Sequence, residues 1–162
     1  MKIGVISDTH ISGKACELPE NIVKAMAGCD LILHAGDLVD LCVLEALSRI
    51  SKVEAVCGNM DSPKVQHNLS SKKNLDLEGK KICLMHGYGN PNGLIDILKD
   101  EFLAQKPDII VFGHSHKPMN EYIDNILFFN PGSATDTVYA PYCSYGIIEI
   151  VKGKIDSKIC KL

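Results

Sequence analysis

The sequence has no C-x-x-C pair, no basic cluster, no internal repeat, no low-complexity tract and no apolar run long enough to cross a bilayer. Its longest apolar runs, such as "LILHAG" and "ILFF", fall far below the roughly 18 residues that a membrane helix needs. No segment is expected to span a membrane. The N-terminus offers one lysine and then only "IGVI" before Ser7-Asp8, without the longer apolar region and small-residue cleavage site of a secretion signal. The expected location is the cytoplasm. The cysteines, at 16, 29, 42, 57, 83, 143 and 160, are odd in number and scattered. That pattern argues against a disulfide framework, a structural zinc knuckle and a thioredoxin-type site, and the seven read as small, reduced, mostly buried residues. A net charge of −3 without a basic patch excludes an extended nucleic-acid surface. An anionic ligand would have to be drawn in locally.

What is present is the material of a core. With 162 residues and 46% apolar content, the chain is sized for one domain covering 1–162. "KIGVI" at 2–6 is a short strand ending in polar "SDTH", and "PENIVKAMAG" follows as a helix with Pro19 near its start and Gly28 at its end. "DLILHAGD" repeats the strand and polar loop, "LVDLCVLEALSRI" has helical spacing, and "VEAVCGNMD" is a third strand with a Gly-led loop. "NLDL" and "KICLMHG" are extended runs turned at Gly79; a helix over about 93–105 then leads into "DIIVFGHSH". The last third reads as hairpins turned at Asp124-Asn125 and at 152–154. Alternating strands and helices that give way to a strand-rich half predict an α/β sandwich with helices outside two sheets.

Strand after strand is followed by one chemical type of group: Asp8 and His10, Asp37, Asn59, His86, then His114 and His116. Taken singly, a histidine beside a strand is usually a hydrogen-bonded packing group, and "GD" or "GN" is an ordinary turn. The coincidence carries the signal. Ligand sites assemble at the carboxyl ends of strands in α/β sheets, and a set of oxygen and imidazole donors without a thiol suits divalent transition metals.

The ordered motifs "DTH" (8–10), "GD" (36–37), "GNMD" (58–61), "HG" (86–87) and "GHSH" (113–116), with "NPGS" at 130–133, resemble the signature of the calcineurin-like metallophosphoesterases. The short chain is most similar to their small prokaryotic phosphodiesterase subgroup. The resemblance implies a four-layer αββα sandwich, two mixed β-sheets flanked by helices. It also implies two divalent ions, manganese first, with nickel, iron or zinc as alternatives. By motif, Asp8, His10 and His116 would bind one ion, Asn59, His86 and His114 the other, and Asp37 would bridge them. The implied reaction is hydrolysis of a small phosphodiester by a hydroxide held between the ions, without a phosphoenzyme. A phosphomonoesterase or nucleotide phosphatase on the same site is a second reading, and a protein-binding scaffold, as in the retromer subunit of this fold, a third. A homo-oligomer is left open.

One position departs from the family pattern. Many members carry a histidine after the "GN" asparagine, where this chain has Met60, and a thioether has no proton to give a leaving group. Asp61 has two readings, a turn cap or a hydrogen bond behind the ligands. His34 reads as an orienting or packing group, His67 as an exposed loop residue, and Ser12 and Ser133 lack a base that would make either a nucleophile.

Overall fold

The computed structural model describes residues 1–13 and 17–162. In chain order the elements are β1 (Lys2–Ile6), α1 (Glu20–Met26), β2 (Leu31–His34), α2 (Cys42–Ser48), β3 (Lys52–Ala55), α3 (Pro63–Asn68), β4 (Lys72–Leu77), β5 (Lys80–Met85), α4 (Leu94–Phe102), β6 (Ile109–Val111), β7 (Met119–Ile123), β8 (Ile126–Asn130), β9 (Ser144–Val151) and β10 (Lys154–Lys161). They form two five-stranded sheets, ordered β10-β9-β1-β2-β3 and β4-β5-β6-β8-β7. In the first, β1, β2 and β3 run parallel with β9 antiparallel to β1; in the second, β5, β6 and β8 run parallel. Both sheets are mixed, as expected.

Period-two alternation sorts the side chains into layers. Ile3, Val5, Leu31 and Leu33 meet Ile82, Leu84, Ile109, Val111, Leu127 and Phe129 between the sheets. On the other face of the first sheet, Ile6 and Ile32 pack against Ile22 and Met26 of α1, Val43 and Leu47 of α2 and Val65 of α3. On the outer face of the second, Cys83, Ile110 and Phe128 receive Leu94, Leu98 and Phe102 of α4. The result is the four-layer αββα sandwich. Gly146 has a packing role: any Cβ there would strike the ring of Phe129.

Two expectations need correction. The segment after "GNMD" is helix α3, begun by the Ser62 hydroxyl accepting from the Val65 amide and by Pro63 in the first turn, so His67 is exposed on a helix rather than in a loop. Six residues with one buried side chain have no apolar period to read. Among the cysteines, 29, 57, 83, 143 and 160 are free, but Cys42 is disulfide-bonded, contrary to the reading of all as reduced. Spacing along the chain does not say which thiols meet in space. Cys16 lies outside the described residues. No described helix is long and apolar enough to cross a membrane.

Candidate metal centre

The carboxyl ends of β1, β2, β3, β5, β6 and β8 come together, and the sequence-predicted residues follow them. The loops are stitched by their own backbone: the Asp8 amide donates to the Gly36 carbonyl at 3.0 Å, the His10 amide to Asp37 at 3.0 Å and the Gly113 amide to His86 at 3.1 Å. Asn130 donates to the Gly113 carbonyl at 2.8 Å, and the Ser133 hydroxyl to the Asp8 carbonyl at 2.7 Å. This framework holds five of the seven candidate ligands in left-handed backbone: Asp8 at φ 51°, His10 at 44°, Asp37 at 56°, His114 at 66° and His116 at 55°. Such angles are uncommon outside glycine and persist where the surroundings over-determine them. Gly113 allows close approach, because a Cβ would collide with the Ser7 hydroxyl and the Asp8 carboxylate; one on Gly58 would strike Asp37 and His86.

Five of the seven candidates form one polar cluster. Asp8 Oδ1 lies 3.3 Å from His116 Nε2, 4.0 Å from His10 Nε2 and 3.9 Å from His86 Nε2. Asp37 Oδ2 lies 3.2 Å from His86 Nε2 and 3.9 Å from His10 Nε2. Two overlapping groups can each enclose an ion, Asp8-His10-His116 and Asp8-Asp37-His86. Asp8 is common to both groups, and Asp37 reaches from the second to within 3.9 Å of His10 in the first. Asn59 and His114 stand beside it and are tied to each other: His114 Nδ1 is 3.1 Å from Asn59 Oδ1, and its Nε2 is 2.9 Å from the Gly89 carbonyl.

The cluster is asymmetric in what it leaves unpaired. Asp8 Oδ2 accepts from Ser7 and Asp37 Oδ1 from the Met60 amide at 2.7 Å, yet buried Asp8 Oδ1 and His86 Nε2 make no aligned hydrogen bond, only the close approaches to His116 and Asp37 given above. An orphaned buried polar atom is costly, and two of them in a nest of carboxylate and imidazole fit a divalent cation. The remaining nitrogens are already committed. His86 Nδ1 pairs with the Ala35 carbonyl at 2.7 Å and His116 Nδ1 with Asp136 Oδ2 at 2.5 Å, so each ring turns Nε2 toward the cluster.

Charge follows this geometry. His116 is pushed up to about 9 by its contact with the Asp8 carboxylate and then Asp136, against the opposing effect of burial. Burial disfavours the His86 cation, but Asp37 outweighs it and the ring is raised; burial likewise opposes ionisation of Asp37, and His86 holds it below the usual range. His34 differs. Its full burial lowers it to about 4, and it pairs with the Thr9 hydroxyl at 3.1 Å and the Gly36 amide at 3.2 Å, as an orienting group. Asp61 accepts from Gly58, Asp37 and Val39 amides, so it binds the ligand loops together from behind. Ser133 caps the turn that carries Asp136.

Asp136 is the site residue that sequence reasoning missed. Beyond His116 it accepts from the amides of Val138, Tyr139 and Ala140. The only sequence signal was an aspartate in a turn three residues beyond "NPGS".

The calcineurin-like phosphoesterase superfamily domain model matches residues 1–153. A probable metallophosphoesterase of Methanocaldococcus jannaschii is 38% identical over 162 residues, 98% of this chain and 78% of that protein. A phosphodiesterase of the same organism is 26% identical over 149 residues, 82% of this chain and 83% of that one. In fold, the crystal structure of Vps29 from Chaetomium thermophilum superposes with a TM-score of 0.79 at 22% identity, covering 99% of this chain and 96% of that one. With the donor cluster at the converging strand ends, the chain belongs to the calcineurin-like phosphoesterase superfamily and is a metal-dependent phosphoesterase.

Proposed function

We propose that the chain, acting in the cytoplasm as a single domain over 1–162, is a phosphodiesterase with two divalent ions, manganese foremost. In this reading Asp8, His10 and His116 hold one ion, Asn59, His86 and His114 the other, and Asp37 bridges them. The observation that carries it is the pair of buried atoms, Asp8 Oδ1 and His86 Nε2, that lack an aligned hydrogen bond and face a shared space among carboxylates and imidazoles. When bound, such ions polarise phosphoryl oxygens and acidify a water enough for it to attack at neutral pH. The chain's own residues do the rest. The two carboxylates offset the charge of the dications, and Ala35 and Asp136 fix the His86 and His116 rings with Nε2 inward. Asn59 and His114, 3.1 Å apart through Oδ1 and Nδ1, would supply an oxygen and a nitrogen donor to the second ion. Met60, 59% exposed, gives its backbone amide to Asp37 but no proton to a leaving group.

Hydrolysis of an aryl diester and an aryl monoester, with metal-stripped and manganese-loaded protein, tests the reading. Metal-dependent turnover favouring the diester is expected; preference for the monoester would replace it with a phosphomonoesterase. The Vps29 likeness in fold supports a second reading as a scaffold. Two bound ions with no hydrolysis of either ester would favour that one.

A further inference from the structure

The metal cluster lies between two separate clefts. One, about 510 Å³, runs from Asn59 and His86 toward Gln66, Leu69 and Tyr88. The other, also about 510 Å³, runs from His10 and His116 toward Thr135, Val138 and Tyr139. They share no lining residue. Asp37 Oδ2, 3.2 Å from His86 and 3.9 Å from His10, stands at their junction. Each volume falls in the range of about 300–1,000 Å³ that holds small organic groups. Each cleft also carries a tyrosine open to solvent: Tyr139 is 82% exposed and Tyr88 49%. The Tyr88 ring is steadied by its hydroxyl, which donates to Glu101 at 3.1 Å.

The lining chemistry narrows what could lie there. Among the described lining residues, neither cleft has a lysine or arginine. Beyond the histidines of the centre itself, a second phosphate would find no cationic side chain among the described lining residues, and in the His116 cleft it would face the Asp136 carboxylate. What remains away from the centre is largely uncharged: Leu69, Met85 and Tyr88 with Gln66 and Ser71 in one cleft, and Ile11, Val138 and Tyr139 with threonines in the other. A phosphodiester directs two substituents away from one phosphorus, whereas a monoester would occupy one cleft and leave the other wet.

We propose that the substrate is a phosphodiester with two uncharged, ring-bearing arms, one seated against Tyr88 and the other against Tyr139, with the phosphate at the junction. This rests on the phosphodiesterase reading and extends it to substrate class; it disfavours polyphosphate substrates.

The test is titration calorimetry on manganese-loaded wild type, Tyr88→Ala, Tyr139→Ala and the double variant. The probes are diphenyl phosphate, methyl phenyl phosphate of the same charge, and inorganic phosphate. Each single variant should weaken diphenyl phosphate by about 3- to 10-fold, the range of one aromatic contact. The double variant should show the product of the two effects, since the clefts are separate, and inorganic phosphate should be unaffected. Wild type should bind diphenyl phosphate more tightly than methyl phenyl phosphate. Equal affinity for those two diesters, or wild-type affinity for diphenyl phosphate in either single variant, would overturn the proposal. Turnover of bis(4-nitrophenyl) phosphate, followed in parallel, separates the two claims. Intact two-arm binding without turnover refutes the phosphodiesterase reading alone, and turnover with no effect of either tyrosine refutes the two-arm seating alone.

Discussion

Replacing Asp136 by asparagine should disable the His116 side of the centre without unfolding the protein. Asp136 Oδ1 accepts from the Val138 and Tyr139 amides, and Oδ2 from the Ala140 amide and His116 Nδ1. An amide can serve only one of these pairs. With its carbonyl toward Val138 and Tyr139 it abandons the Ala140 amide; flipped, it abandons two backbone donors. The first orientation is therefore favoured, and it turns an N–H toward His116 Nδ1. The neutral ring must then carry its proton on Nε2, the nitrogen that faces Asp8 at 3.3 Å, and a protonated nitrogen cannot ligate. Loss of the carboxylate behind a ligating histidine typically weakens metal binding by about 10- to 100-fold. Calorimetric titration of metal-stripped protein with manganese at pH 8 should show one site weakened to that extent and the other unchanged. Asp136→Ala leaves the ring free to choose its proton, so its metal affinity should fall less, even though it loses more of the turn. Wild-type affinity at both sites in Asp136→Asn, or a larger metal defect in the alanine variant, would refute the argument.

Asp37→Asn should lower diester turnover by at least about 100-fold while the melting temperature stays near wild type; near-normal turnover by the folded variant would remove Asp37 from the centre. With Met60 in place of a proton donor, aryl diesters should react much faster than alkyl diesters, since general acid help is typically worth about 10²–10⁴-fold. A rate flat in leaving-group pKa would show another proton source. His34, unprotonated in the fold down to about pH 4 and ordinarily titrating near 6.5 once unfolded, binds more protons in the unfolded chain between those values. Its contribution to stability is complete above about pH 6.5 and is lost as pH falls toward 4, about 3 kcal/mol in all. Urea unfolding of metal-free protein at pH 7 and pH 4.5 should register it, and a variant with asparagine at position 34 should show a flatter profile.

The strands were legible because β1, β2, β5 and β6 each end in a compact apolar run followed by a group that does not belong on a buried strand, and the short β3 leads through Val56 to the same kind of loop. That punctuation located Asp8, His10, Asp37, Asn59, His86, His114 and His116, and the structure draws five of them into contact. Helix α3 was not legible because its start signals, Ser62 and Pro63, also open ordinary turns. Asp136 was hidden for a different reason. Its partner lies 20 positions away on another loop, and an aspartate that also caps its own turn leaves no trace of the second task. The steric demand for glycine at position 113 comes from Ser7 and Asp8, more than a hundred positions earlier, and no local reading could reveal it.

The left-handed backbone at Asp8, His10, Asp37, His114 and His116 makes catalysis and durability rivals within one molecule. At about 1 kcal/mol for each such residue the five together tax the fold by roughly 5 kcal/mol, a large share of the about 5–15 kcal/mol that keeps a domain folded. Glycine accepts these angles freely. A library of variants selected only for heat resistance should therefore accumulate glycine at positions 10 and 116, giving sturdier proteins that no longer hold metal. Thermal hardening of this enzyme would need its screen to demand turnover at every round.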